Sequence, residues 1–214
     1  MQDIVIDSNK LEQRCLSSID DFRKEGDVVD TDLGIYIYKN NNSKVLAVAH
    51  LDTVIKSASF KLEGNSVISP QLDDRLGAYI ILDLLPQLNI NCDILLTDGE
   101  ETHKDTAQFF KSPKQYNWMF NFDRAGTDVV MYFYEDVNMK NILIDSGFKV
   151  GKGTCSDISY LKHLGIKGIN FGCGYHLQHS YECYASLIET KEMVSKFIPF
   201  YKKYKDVRFP HLQE

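Results

Sequence analysis

Two histidines and a set of carboxylates carry most of the chemistry this sequence could perform. His50 and Asp52 stand at the end of an apolar run, Val45 to Ala49. In an extended segment, residues i and i+2 share a face. Asp52 can therefore accept the ring N–H that a ligating imidazole leaves unused, which fixes the tautomer. Taken alone, the pair also fits a strand-end histidine beside a loop aspartate. Asp73 and Asp74 precede Arg75, an arrangement that equally suits the first turn of a helix. Glu100 and Glu101 follow the run Asp93 to Thr97; adjacent carboxylates repel and need solvent or a counter-charge. Asp123 follows Trp118 to Phe122, and His179 lies past Ile166 to Phe171. His176 is close enough to compete with His179, whereas His103, His163 and His211 suggest only surface or packing roles. Together these residues form a nitrogen and oxygen donor set without thiolate. Such a set suits zinc, manganese or cobalt in a catalytic site with open positions. Two ions sharing one bridging carboxylate would account for the number of acids, and such pairs activate water.

The elements that must position these residues are short apolar runs alternating with helical periodicity. Ser8 to Lys24 reads as a helix capped by Ser8. Leu33 to Tyr38 and Val45 to Ala49 read as strands joined by a hairpin turn over Lys39 to Lys44. Ala78 to Leu85 reads as a helix stopped by Pro86. Further strands are expected at Asp93 to Thr97, Trp118 to Phe122, Val129 to Tyr134 and Ile166 to Phe171. Helices are expected at Asn138 to Asp145, Asp157 to Leu164 and Leu187 to Tyr204. This alternation predicts an α/β fold: a three-layer, mostly parallel mixed sheet with helices on both faces. Ligands in such folds sit beyond the carboxyl ends of the strands, where the acids and His50 fall.

The chain has 214 residues and a formal net charge of −6. That length suits one domain over residues 1–214. A mildly acidic chain lacks the basic footprint that nucleic-acid binding requires. Five cysteines at loose spacing, with no C-x-x-C, argue against a disulfide framework or a structural zinc–cysteine site. The first residues lack the basic and apolar segments of a signal peptide, and no apolar run is long enough to span a bilayer. The expectation is a cytoplasmic protein without membrane or nucleic-acid partners. No phosphate-binding P-loop, H-E-x-x-H or G-x-S-x-G occurs.

The ordered stretches Ala49-His50-Leu51-Asp52-Thr53-Val54, Leu72-Asp73-Asp74-Arg75-Leu76-Gly77, Thr97-Asp98-Gly99-Glu100-Glu101 and Gly153-Thr154-Cys155-Ser156-Asp157 resemble the co-catalytic di-zinc peptidases of the M28, M42 and M20 groups. The resemblance implies a zinc-exopeptidase-like fold and two Zn2+ ions, with Co2+ or Mn2+ as alternatives. It implies that His50, Asp73 and Asp123 hold one ion, and that Asp73, Glu101 and His179 hold the other. Glu100 would be the general base and Asp52 the catalytic partner that orients His50. Asp74, Arg75 and Glu182 would support the ligands from behind. The resemblance also implies a cis peptide after Asp73. Ser156, Asp157, Tyr175 and His176 are candidates for substrate contact, with Ser156 or Tyr175 as an oxyanion donor; Ser156 could equally cap a helix.

One departure is Thr102-His103-Lys104-Asp105, where the family continues with a small, glycine-containing segment. The stretch from His50 to Asp73 is too short for the domain that M42 enzymes insert. The stretch from Asp123 to His179 leaves no room for the dimerisation domain of M20 enzymes. The organisation is thus closest to an insert-free M28-type aminopeptidase, with no lid or dimerisation domain. The expected activity is hydrolysis of a peptide or amide bond by a metal-activated water, on a peptide or N-acyl small-molecule substrate. An M20-type carboxypeptidase or amidohydrolase, or a non-catalytic binding protein on the same fold, are the alternatives. The oligomeric state is left open.

Overall fold

The structure, a computed structural model, describes residues 4–211. Of the N-terminal stretch read above for a signal peptide, the first three residues lie outside the described ones. The chain runs α1 (Ser8–Leu16), a 3-10 segment (Ile19–Glu25), β1 (Asp27–Thr31), β2 (Gly34–Lys39), β3 (Val45–His50), β4 (Lys61–Glu63), β5 (Ser66–Ile68) and α2 (Leu72–Tyr79). A π-helical turn (Ile80–Leu84), α3 (Leu85–Gln87), β6 (Asp93–Thr97), β7 (Trp118–Asn121), β8 (Asp128–Val130), α4 (Val137–Asp145) and β9 (Lys149–Val150) follow. A 3-10 helix (Asp157–Leu164), β10 (Gly168–Phe171), β11 (Tyr175–His176), β12 (Tyr184–Ser186) and α5 (Leu187–Tyr204) complete it.

Eight strands form the central sheet in the order β1-β2-β6-β3-β7-β10-β8-β9. Strands β6, β3, β7 and β10 are mutually parallel, and antiparallel pairs flank them. Every residue of β3 is buried, as its continuous apolar run requires of a strand covered on both faces. Helix α5 lays Phe197, Phe200 and Tyr201 against Trp118 of β7, with ring centroids 5.5–6.4 Å apart. This is the three-layer α/β fold expected. Among the described residues, no helix is long and apolar enough to cross a membrane. All five cysteines are unpaired.

Several local expectations need correction. The N-terminal helix ends at Leu16, and its cap is Asp7, whose carboxylate accepts from Asn9 N and Lys10 N at 3.0 and 3.1 Å. Ser18 then caps the separate 3-10 segment, exchanging hydrogen bonds with Asp21. Serine side chains offer the backbone these alternatives to a continuous helix. Strands β2 and β3 are not a hairpin: β6 lies between them. The polar link crosses the start of β6, where Asp93 accepts from Asn41 N and Ser43 N at 3.0 and 2.9 Å. Helix α2 begins at Leu72, earlier than its apolar pattern suggests, because Asp73, Asp74 and Arg75 are charged yet buried. Pro86 does not end the helical stretch; it sits in the first turn of α3, where a missing N–H costs little. The segment expected as a strand to Tyr134 leaves the sheet after Val130 and turns into a 3-10 segment at Tyr132–Tyr134. A second, antiparallel sheet, β11-β12-β5-β4, was not anticipated; its strands of two or three residues are too short to show periodicity.

Candidate metal centre

The site lies where β6, β3 and β7 end side by side. The chain passes from β3 to β6 on one side, then crosses to β7 on the other, so β3 marks the switch point at which α/β folds form ligand crevices. His50 is the last residue of β3. Glu100 and Glu101 begin a 3-10 turn just past β6, and Asp123 lies just past β7. Asp73 opens α2, and His179 sits on the loop between β11 and β12 of the small sheet. Gly77 lets α2 approach this closely: a Cβ there would stand 2.0 Å from Asp74 Oδ1 and 2.8 Å from the Phe122 carbonyl oxygen.

Asp73 joins the two histidines. His50 Nε2 lies 3.2 Å from its Oδ1, and His179 Nε2 lies 3.2 Å from its Oδ2. His50 Nε2 is also 3.6 Å from Asp123 Oδ1, and His179 Nε2 is 3.1 Å from Glu101 Oε2. His50, Asp73 and Glu101 present ligand atoms within 4.8 Å of one another, and so do His50, Asp74 and Asp123. The Asp73–Asp74 peptide is cis. His50 Nδ1 donates to the Asp52 carbonyl at 2.9 Å, which leaves Nε2 facing the carboxylates. The Asp52 carboxylate stands 3.5 Å from the same Nδ1. It also accepts from Glu100 N and Glu101 N at 3.2 and 3.1 Å, and so holds the loop that carries both glutamates.

The charge balance of the cluster is lopsided. Burial pushes the Asp123 and Asp74 carboxyls well above the ordinary range, and neighbouring carboxylates push them further. Burial, with Asp157, Glu101 and Asp73 nearby, lifts Glu100 to about 8. Asp73 goes the other way: burial would raise it, but hydrogen bonds from His179 and His50 hold it below the usual value. Burial would also lower His50, yet its bonds to Asp123, Asp52 and Asp73 raise it well above an ordinary imidazole. Glu101 Oε1 and Asp74 Oδ2 are buried with no hydrogen-bond donor. Excess buried negative charge, orphan oxygens and hard oxygen and nitrogen donors fit divalent cations.

A cleft of about 320 Å³ opens on this cluster, lined by Asp73, Glu100, Glu101, Asp123 and His179 together with Arg124, Tyr132, Gly153, Thr154, Cys155 and Tyr175. Tyr175 donates to Asp123 Oδ1 at 3.3 Å. The other candidates lie apart from this surface. Ser156 is buried and accepts from Asn121 Nδ2 at 3.0 Å. Asp157 is buried and accepts from the Thr97 hydroxyl. His176 turns to Glu189, 2.6 Å away, and stacks on Tyr184. Arg75 stacks on Phe22 and donates to the Arg14 carbonyl, so it packs against the N-terminal segments. Glu182 is exposed, and its backbone N–H donates to Ser180 Oγ.

Sequence reasoning missed the residues that hold Asp123. Asn170 accepts from Asp123 N at 3.1 Å and donates to its carbonyl at 2.7 Å. Asn121 donates to Asp123 Oδ2 at 3.4 Å. Both are fully buried amides within apolar strands, and that polarity was the available signal. Arg124 was also missed, although a cation directly after a candidate ligand could have drawn attention.

No protein-family model matches the sequence, and no curated protein is similar to it. Solved structures do share the fold. Aminopeptidase PepT from Bacillus cereus superposes with a TM-score of 0.63 at 9% identity, covering 89% of this chain and 96% of its own. A tripeptidase from Staphylococcus aureus gives 0.63 at 11% identity, covering 92% and 96%. The TET1 peptidase of Pyrococcus horikoshii, which can assemble into a tetrahedron or a large octahedral shell, gives 0.55 at 13% identity, covering 89% and 91%. At these identities the likeness establishes the fold.

Proposed function

We propose that the protein is a metal-dependent peptide hydrolase, an aminopeptidase using two divalent ions, with zinc the first choice. The observation that carries this reading is Asp73, whose two carboxylate oxygens face His50 and His179 separately at 3.2 Å each. His50, Asp73 and Asp123 would hold one ion, and Asp73, Glu101 and His179 the other. When bound, such a pair supplies Lewis acidity toward water and the scissile carbonyl. The remaining steps belong to the chain. Asp52 fixes the glutamate loop through two backbone N–H groups. Glu100, held in the cleft wall, takes the proton of the attacking water and delivers it to the leaving amine nitrogen. Tyr175, beside Asp123, is placed to donate to a developing oxyanion.

The peptidases sharing the fold support a peptide substrate. The short links around the site support a single catalytic domain without inserts, organised like M28 enzymes. Five unpaired cysteines suit a reducing, cytoplasmic setting. Arg124, which lines the cleft, favours one second reading, a carboxypeptidase or amidohydrolase: its guanidinium pairs with Asp128 at 2.5 and 2.9 Å and would exchange that partner for a substrate carboxylate. Metal-loaded protein assayed on aminoacyl anilides and on N-acyl amino acids separates the two. Turnover of the anilides supports the aminopeptidase, and turnover of the N-acyl substrates alone supports the second reading. Metal binding without either activity contradicts both.

A further inference from the structure

Behind Glu100 lies a second acid pair that the proposed chemistry does not use. Asp105 and Asp157 are both fully buried. Asp105 Oδ1 accepts from Ala107 N at 2.8 Å, and Asp157 Oδ1 accepts from the Thr97 hydroxyl. Oδ2 of each residue has no such donor. The two carboxyl groups face each other within hydrogen-bonding reach. Two carboxylates cannot both stay ionised in contact away from water. A single proton between them satisfies both orphan oxygens.

The pair joins three parts of the site. Asp105 closes the loop that carries Glu100 and Glu101, which is pinned by Lys104 N to the Gly99 carbonyl and Thr106 N to the Asp98 carbonyl, each at 2.9 Å. Asp157 stands two residues past Cys155, the last of the Gly153, Thr154 and Cys155 run that lines the cleft. Thr97 is the last residue of β6.

We propose that Asp105 and Asp157 share one proton as an acid–carboxylate pair, and that this clasp is a positioning device holding the Glu100 loop against the cleft wall. The Thr97 hydroxyl donates to Asp157, and the titratable groups whose charge reaches the pair are Glu100, Asp52, His50, Cys155 and Tyr160. Burial, then the charge of Asp157, lifts Asp105 to about 10, so the clasp is closed at neutral pH. It opens as pH rises through that value and two like charges oppose. The effect on catalysis rests on Glu100 being the base; the shared proton does not.

The test compares wild type with Asp105→Asn and Asp105→Ala in the metal-loaded full chain. The Asn amide can still donate to Asp157 and accept from Ala107 N, but it has no proton to lose. Asp105→Ala is expected to lower kcat roughly 10- to 100-fold at little changed KM, through misplacement of the base. Asp105→Asn should rescue that loss and remove the alkaline decline of the wild-type pH profile. Infrared spectra of the wild type at neutral pH should show the deuterium-sensitive C=O stretch of a protonated acid, absent from Asp105→Asn. A wild-type spectrum in which Asp105→Asn removes no such band overturns the shared proton. A normal kcat in Asp105→Ala overturns the positioning role. Should the Ala variant fail to fold, the Asn pH profile decides: an alkaline limb equal to that of wild type counts against the clasp. If Glu100→Gln keeps full activity while the band still disappears in Asp105→Asn, the proton-sharing stands and the assignment of Glu100 as base fails; if the metal-loaded wild type turns over no peptide or amide substrate while the band behaves as expected, the proton-sharing stands and the hydrolase reading fails.

Discussion

Strand β6 has buried acids at both of its ends, and they are treated in opposite ways. At its start, Asp93 is inaccessible and fully provided with donors. Tyr38 and Tyr116 hydroxyls lie 2.7 and 2.8 Å from Oδ2, Lys114 Nζ lies 2.7 Å from it, and Asn41 N and Ser43 N reach Oδ1. Burial would raise its pKa, but these donors, led by Lys114, hold it below the ordinary value. Past the other end stand Glu100, Glu101, Asp105 and Asp157, with Asp73, Asp74 and Asp123 close by. There most carboxyls are pushed up, and orphan oxygens remain. A buried acid with every lone pair used ties down structure. Buried acids without enough donors leave oxygens that a cation or a proton can still satisfy.

The sharpest way to break this contrast is Glu100→Gln. The amide keeps the shape and loses the base, so turnover should fall by roughly 10²–10⁴-fold while bound metal and melting temperature stay near wild type. Substantial residual turnover means Glu100 is not the base. Asp93→Ala should do the reverse. Removing one partner of a buried, hydrogen-bonded pair costs about 3–5 kcal/mol, so unfolding in urea should shift strongly while kcat per folded molecule holds. A loss of kcat at unchanged stability would erase the distinction between the two ends.

Removing metal sharpens the comparison through pH. Asp74, Asp123 and Glu100 have folded values above their unfolded ones, so the folded chain holds protons that the unfolded chain gives up earlier. Their contribution to the stability of metal-free protein is full below the ordinary carboxylate range and is lost as pH rises through the raised values. Asp93, with a lowered value, contributes in the opposite sense: its part is present above the ordinary range and lost as pH falls. Melting curves across pH, with and without metal, should show the alkaline loss only in the metal-free protein. An equal loss in both would mean that metal does not neutralise these acids. The smallest effect is expected for Ser156→Ala, which removes the hydroxyl that accepts from Asn121. It should cost about 1 kcal/mol of stability and leave kcat unchanged. A drop in kcat would return Ser156 to the cleft.

The legible part of the molecule was the part with long-range repetition. Val45–His50, Asp93–Thr97 and Leu187–Tyr204 have continuous apolar runs or helical spacing, and their elements fall within a residue of expectation. The acids following strand ends were legible for the same reason, since a strand end announces where its next polar residue must go. What stayed hidden depends on contacts distant in sequence. Nothing local shows that β6 inserts between β2 and β3, that charged Asp73–Arg75 are buried in α2, or that β11 and β12 form a small sheet beside the loop of His179. The Asp105–Asp157 pair was hidden too, because Asp105 reads locally as one more polar loop residue.

The central claim is that Asp73 divides its two oxygens between two cation sites. Titrating metal-depleted protein with Zn2+ by calorimetry tests it directly, using wild type and Asp73→Asn. The account predicts two ions bound per wild-type chain, and loss of tight binding at both sites when the shared carboxylate becomes an amide. One ion per wild-type chain, or two ions bound unchanged by Asp73→Asn, would contradict it.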